Sequence, residues 1–245
     1  MAYTGAHLLT ILASFSFHLA VYRWLVAPVL GRLSPVFKTL PPSKQVVLKD
    51  CVMSLVHALI PGSIGLYVFL YPGGVLPDRV WFDSHLVRHA TCVGLGYTLA
   101  DTLLKAVCPP LYDRTMTLHH VIALCGGYAV SVDPVLPYFI NFWLMMELSG
   151  PFLHLRSILL GLGQGQSRLY RVNGVSLWVV FLACRVVTIP VWWARFSQHV
   201  TSDELSGFRL VTLISVFVLH PAINVLNLYW FGKISWLVFR YLKRS

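Results

Sequence analysis

Residues 114–124 read Arg114-Thr115-Met116-Thr117-Leu118-His119-His120-Val121-Ile122-Ala123-Leu124, which sets two adjacent histidines about one turn inside an apolar stretch. An imidazole at membrane depth needs a partner, a proton role or a metal, because an unpaired polar group in hydrocarbon is costly. Other apolar segments supply polar groups that could meet this pair: Asp101, Glu147, His57, Arg185, Asn224 and Asn227. The expectation is that they gather in one buried site inside a helical barrel.

Composition fixes the solvent. Of 245 residues, 57% are hydrophobic and only 11% charged, against about a quarter charged in water-soluble domains. Apolar runs of helical length recur along the whole chain, so it reads as an integral membrane protein without a separate soluble domain. The five cysteines (Cys51, Cys92, Cys108, Cys125, Cys184) are scattered. No spacing resembles a zinc module, and an odd number argues against a disulfide framework. The net charge of +10 suits anionic lipid headgroups better than nucleic acid, because the basic residues cluster at helix ends. The first stretch, 8–21, lacks a basic leader and a small-residue cleavage site, so it is read as a helix that stays.

Hydrophobic runs and their stop signals predict seven transmembrane helices, at about 6–30, 50–71, 86–107, 115–131, 135–160, 174–196 and 208–232. Residues 233–244 would continue the last along the interface. A polar linker with Pro41-Pro42 separates the first helix from the second. The basic residues fix an orientation. Arg32, Lys38, Lys44 and Lys49, then Lys105 and Arg114, then Arg168 and Arg171, then Lys233, Arg240, Lys243 and Arg244 fall on one side. That side would be cytosolic, with the N-terminus lumenal. Trp192-Trp193, Trp230 and Trp236 read as interfacial belt residues.

Depth follows from a rise of about 1.5 Å per residue. Counted from the cytosolic side, His57 lies roughly 12 Å in and the paired histidines roughly 6–9 Å in. Asp101, Asn224 and Asn227 fall in the same half, with Glu147 and Arg185 near the middle. Prolines sharpen the convergence, since each frees the carbonyl four residues earlier. Pro61 would free that of His57, Pro151 that of Glu147, Pro190 that of Val186 and Pro221 that of Phe217. Freed carbonyls at that depth suit a polar cavity.

Leu118-His119-His120, Pro137-Tyr138-Phe139-Ile140-Asn141-Phe142, Glu147-Leu148-Ser149-Gly150-Pro151, Arg156, and Arg185 with Ile189-Pro190 resemble the TLC-domain family. That family includes ceramide synthases and the translocating-chain-associating membrane protein. The resemblance covers roughly 45–240. It divides the chain into a peripheral first helix with its cytosolic linker (1–44) and a TLC domain (45–245). It implies a six-helix barrel built from helices 2–7 around an acyl-chain cavity, and residence in the endoplasmic reticulum. In ceramide synthases a histidine pair and downstream acids acylate a sphingoid amine from acyl-CoA. Here His119 and His120 match the pair. Those enzymes then carry His-Asp followed two residues on by Ser-Asp, whereas this chain reads Met146-Glu147-Leu148-Ser149-Gly150.

Each candidate role has a structural counterpart. His119 and His120 point about 100° apart on a helix, so one at most sits squarely at a reaction centre. That one would act as general base or as acyl-imidazole nucleophile, with Asp101 and Glu147 completing the catalytic set. The other would hydrogen-bond Asp101 or Glu147. Equally, the pair would be a polar knot tying helices together. Arg185 requires a counter-ion, Glu147 or Asp101, or else holds a lipid or CoA anion. His220, Asn224 and Asn227 form one stripe facing inward, and Tyr97 with Asp101 a second pair at i, i+4. His57 and Arg156 are further ligand-binding candidates. Dispersed histidines argue against a metal, and no cofactor is expected beyond acyl-CoA as a substrate. The functional readings are a lipid- or acyl-chain-binding protein of membrane lipid homeostasis, an acyl-CoA-dependent acyltransferase, and a membrane chaperone or cargo adaptor.

Overall fold

A computed structural model describes residues 5–242. Its regular structure is helical, with no strand among the described residues. We number the main helices α1 (Gly5–Leu33), α2 (Pro42–Leu70), α3 (His85–Val107) and α4 (Arg114–Val132). The fifth, α5, comprises Pro137–Met146 and Gly150–Gly161, joined by a tight 3₁₀ turn. Last come α6 (Arg168–His199) and α7 (Leu210–Arg240). By length and composition α1, α2, α4, α6 and α7 can cross a membrane.

Six of these close a ring. Helix α2 packs on α3 and α5, α3 on α4, α4 on α7, α7 on α6, and α6 on α5. Helix α1 lies outside the ring, along α3. The expected all-helical membrane barrel with a peripheral first helix is therefore the observed architecture.

Boundaries differ where proline was read as a breaker. The expected linker is largely helical: a short helix spans Pro35–Thr39, and α2 begins at Pro42. Proline at the first helical position lacks only an N–H that would have no partner anyway, so it starts helices as readily as it ends them. Helix α6 likewise starts at Arg168, where Ser167 caps it by accepting from the Tyr170 amide at 3.0 Å. Residues 233–240 extend α7 as the same helix.

Prolines inside helices act in two ways. Three helices widen into single π turns just before one: Val21–Leu25 before Pro28, Leu182–Val186 before Pro190, and Ser215–Leu219 before Pro221. In each, an amide bonds to the carbonyl five residues back, which makes room for a ring that would clash with the carbonyl four back. At Pro151 the helix tightens instead. The Gly150 amide takes the Glu147 carbonyl, so the acceptor left open is that of Met146, not the expected Glu147.

Close approach of α2 to α5 depends on Gly65. A Cβ there would lie 2.8 Å from the Met145 amide nitrogen, and the Gly65 carbonyl accepts from Asn141 Nδ2 at 3.0 Å. One aromatic cluster, with Phe139, Trp192 and Phe196, seals the barrel near Asp133 and Thr212. Trp192 is thus buried in the wall rather than lying at the interface.

Candidate functional site

Two polar groupings occupy the barrel, and His120 joins them. The first centres on Asp101, which α3 presents inward and which is only 1% exposed. Its Oδ2 lies 3.1 Å from His120 Nε2 and accepts from the Tyr97 hydroxyl at 3.3 Å. Its Oδ1 accepts from Lys105 Nζ at 2.5 Å, and Lys105 also reaches Asp50 Oδ2 at 3.4 Å. The Tyr97 hydroxyl donates to Ser54 Oγ as well, at 2.8 Å. His120 Nδ1 pairs with Thr102 Oγ1 at 3.1 Å. Both ring nitrogens of His120 are therefore engaged and its plane is fixed. Positions 97, 101 and 105 supply the core of this scaffold from a single helix because i, i+4, i+8 share one face of α3, and Thr102 joins from its flank.

The second grouping lines a cavity along the barrel axis. Its volume is about 170 Å³, room for several water molecules. One end is polar, bounded by His57, Tyr97, His119, His120, Glu147 and Arg185. Around His220, which contacts Trp143 and Trp192, the walls are apolar: Leu136, Phe139, Ile140, Trp143, Trp192 and Val216. There Thr212 Oγ1 donates to Asp133 Oδ2 at 2.8 Å, tying α7 to the end of α4.

His119 differs from its neighbour. Its ring meets the edge of Trp230 at 5.6 Å between centroids, and its Nδ1 has no hydrogen-bond partner among the described residues. The roughly 100° between successive helical side chains separates the two roles: His120 turns to Asp101, and His119 stays free at the cavity.

Arg185 corrects an expectation. Among the described residues neither Glu147 nor Asp101 lies within ion-pair distance of it. Neutral groups hold it instead. Nε donates to the Met146 carbonyl at 2.9 Å and to Ser149 Oγ at 2.8 Å, and Nη1 donates to Asn227 Oδ1 at 3.2 Å. The 3₁₀ turn that opens the Met146 carbonyl thus creates the seat for the guanidinium, and the π turn at Leu182–Val186 carries it there. The Phe181 ring stands 5.2 Å from its Cζ.

The remaining candidates divide. His57 stacks on Tyr97 at 3.7 Å and lines the cavity. His220 accepts from Trp143 Nε1 at 3.0 Å, stacks on Trp192 at 4.0 Å and also lines the cavity. Asn227 serves Arg185. Asn224 is buried with its Oδ1 unpaired, off the cavity lining. Arg156 stands apart from the cavity, 5.7 Å over the Tyr170 ring. Sequence reasoning missed Asp50 and Lys105. Lys105 was readable from its i, i+4 spacing to Asp101 on the helix. Asp50 is not, because the apolar run that marks α2 begins only beside it, while the helix itself starts at Pro42.

Residues 48–235 match the family model of the TLC domain. The chain is 32% identical over 213 residues to TLC domain-containing protein 4-B of Danio rerio, covering 86% of this chain and 81% of the relative. It is 30% identical over 223 residues to TLC domain-containing protein 4-B of Xenopus laevis, covering 90% and 83%. It is 29% identical over 232 residues to TLC domain-containing protein 4 of Homo sapiens, covering 92% and 86%.

Proposed function

The chain belongs to the TLC-domain family, and from that premise we propose that its barrel takes an acyl chain or lipid into the cavity and so influences membrane lipid composition. The observation that carries this reading is one cavity, lined by all six ring helices, that sets His119, Glu147 and Arg185 in the same wall as Phe139, Trp192 and Val216. A hydrocarbon chain gains about 0.8 kcal/mol for each methylene it removes from water, but between bilayer and barrel that gain cancels. Selectivity then rests on the head group, which meets fixed polar partners in the barrel. All seven helices cross the bilayer in this reading. The basic loops lie in the cytosol, the N-terminus lies in the lumen, and the endoplasmic reticulum is the host membrane.

A second reading, acyl-CoA-dependent acyl transfer, is favoured by one observation: His119 keeps a nitrogen without a partner among the described residues beside the cavity while Asp101 and Thr102 hold His120. In that reading His119 is the base or nucleophile and His120 positions it. The site is Asp101, His119, His120 and Glu147, with one acid fewer than the synthases it resembles.

Purification in mild detergent, mass spectrometry of the bound lipid, and incubation with acyl-CoA plus sphingoid bases or lysolipids test both. Bound lipid without product supports the first reading. Product that disappears in His119→Ala and persists in Trp230→Phe supports the second. Neither bound lipid nor product would sink both.

A further inference from the structure

A guanidinium stays charged at any physiological pH, so one buried at membrane depth must be compensated. Arg185 is 8% exposed. Its Nε and Nη1 are occupied by three neutral acceptors, and no carboxylate lies within 4 Å among the described residues. Its Nη2 donates to nothing among them, although Arg185 lines the cavity. The Glu147 side chain lines the same cavity, also with no hydrogen bond among the described residues. The other buried cation near this level, Lys105, is committed to Asp50 and Asp101 and lies off the cavity.

A ligand head group must therefore offer an acceptor to Arg185 and something acceptable to Glu147. A fatty amine would satisfy the carboxylate and repel the guanidinium. An alcohol or an ester brings no charge to Arg185. A phosphate monoester would set two negative charges beside Glu147 with one cation to balance them, and a phosphodiester, ionised far below the carboxyl range, brings no proton to share with it. A carboxyl group meets both demands. One oxygen accepts from Nη2, and the other shares a single proton with Glu147, as neighbouring carboxyls do when they cannot both ionise. The geometry points to a free fatty acid as the ligand, its carboxyl between Arg185 and Glu147 and its chain running towards Phe139 and Val216. This rests on the acyl-binding reading above and narrows it to one head group.

Displacement of tritiated palmitate from the purified full chain in detergent tests it, with palmitate, hexadecanol, methyl palmitate and hexadecylamine as competitors. Palmitate should compete about tenfold to a hundredfold more strongly than the alcohol or ester, the worth of one charge-assisted hydrogen bond. The amine should be weakest. Arg185→Gln should erase the preference for acid over alcohol while leaving the alcohol within a few-fold. If that variant does not fold, Arg185→Lys, which keeps the charge without the fork, should shrink the preference. Glu147→Gln should retain palmitate and make its binding less sensitive to raised pH. Equal binding of all four compounds, or preference for the amine, overturns the fatty-acid assignment alone. Failure of every acyl compound to bind overturns it together with the barrel reading.

Discussion

Asp101 receives three contacts, from His120, Lys105 and Tyr97, and Lys105 bridges it to Asp50. Burying such a cluster is tolerable only while it is complete, because a lone buried charge loses its solvation and its partner at once. Asp101→Asn leaves Lys105 with Asp50 alone, at 3.4 Å, and His120 without its acceptor. We expect a loss of about 3–5 kcal/mol, the usual cost of breaking a buried pair, measured by thermal unfolding in detergent. His119→Ala removes an imidazole whose Nδ1 makes no hydrogen bond. It should stay within about 1 kcal/mol of wild type, as substitutions away from networks do. A His119→Ala variant as unstable as Asp101→Asn would show that both histidines belong to one structural knot. The sequence disclosed most of this site by depth alone, since charged residues inside apolar runs are conspicuous. It did not disclose which histidine was free, because that depends on the rotation of α4 about its axis. Nor did it show Arg185's partners, because a backbone carbonyl opened by a 3₁₀ turn leaves no mark in residue type.

Asp113 caps the start of helix α4, its Oδ1 accepting from the Thr115 hydroxyl at 2.6 Å and the Met116 amide at 2.9 Å. These bonds, the Thr115 one foremost, hold the Asp113 carboxyl below its ordinary value of 3.8. A depressed folded-state value means the cap stabilises above the ordinary carboxylate range and is lost as pH falls through the folded value. Asp113→Ala should cost about 1 kcal/mol at neutral pH, seen as faster amide exchange at Met116 and Thr117. The difference from wild type should shrink under acid. Helix α1 is held differently, by close backbone approach at Gly96. An added Cβ would collide with the Ile11 carbonyl and lie 2.8 Å from the Phe15 nitrogen. Main chain on both sides cannot yield as a flexible side chain would. Gly96→Ala should therefore push α1 off α3, read as lost cross-linking between cysteines placed at Thr10 and His89, whose side chains lie 3.2 Å apart. Unchanged cross-linking would refute this view of the contact.

For the whole molecule, ring closure makes the cavity a property of all six helices, and α1 braces its wall from outside, with Ile11 packed against Leu95 and the His18 ring facing His57 and Tyr97 at 5.6 and 5.2 Å. A ligand that binds only the closed ring stabilises it by mass action. At a hundred times its dissociation constant the gain is about 2.7 kcal/mol, so the melting temperature should rise with palmitate and not with hexadecylamine. Stripping bound lipid with excess detergent should reverse the rise. The sequence made the ring's members legible as apolar runs, but their order around it rests on side-chain complementarity between distant segments. The π turns carry one last implication. Each closes with one residue more than an ordinary turn, so the stripe that a uniform 3.6 periodicity would draw along α6 or α7 slips there by about 100°. A homologue lacking Pro190 or Pro221 has no need of the surplus, and its alignment to this chain should show a single-position gap at 182–186 or 215–219, with inward-facing residues back in phase on either side.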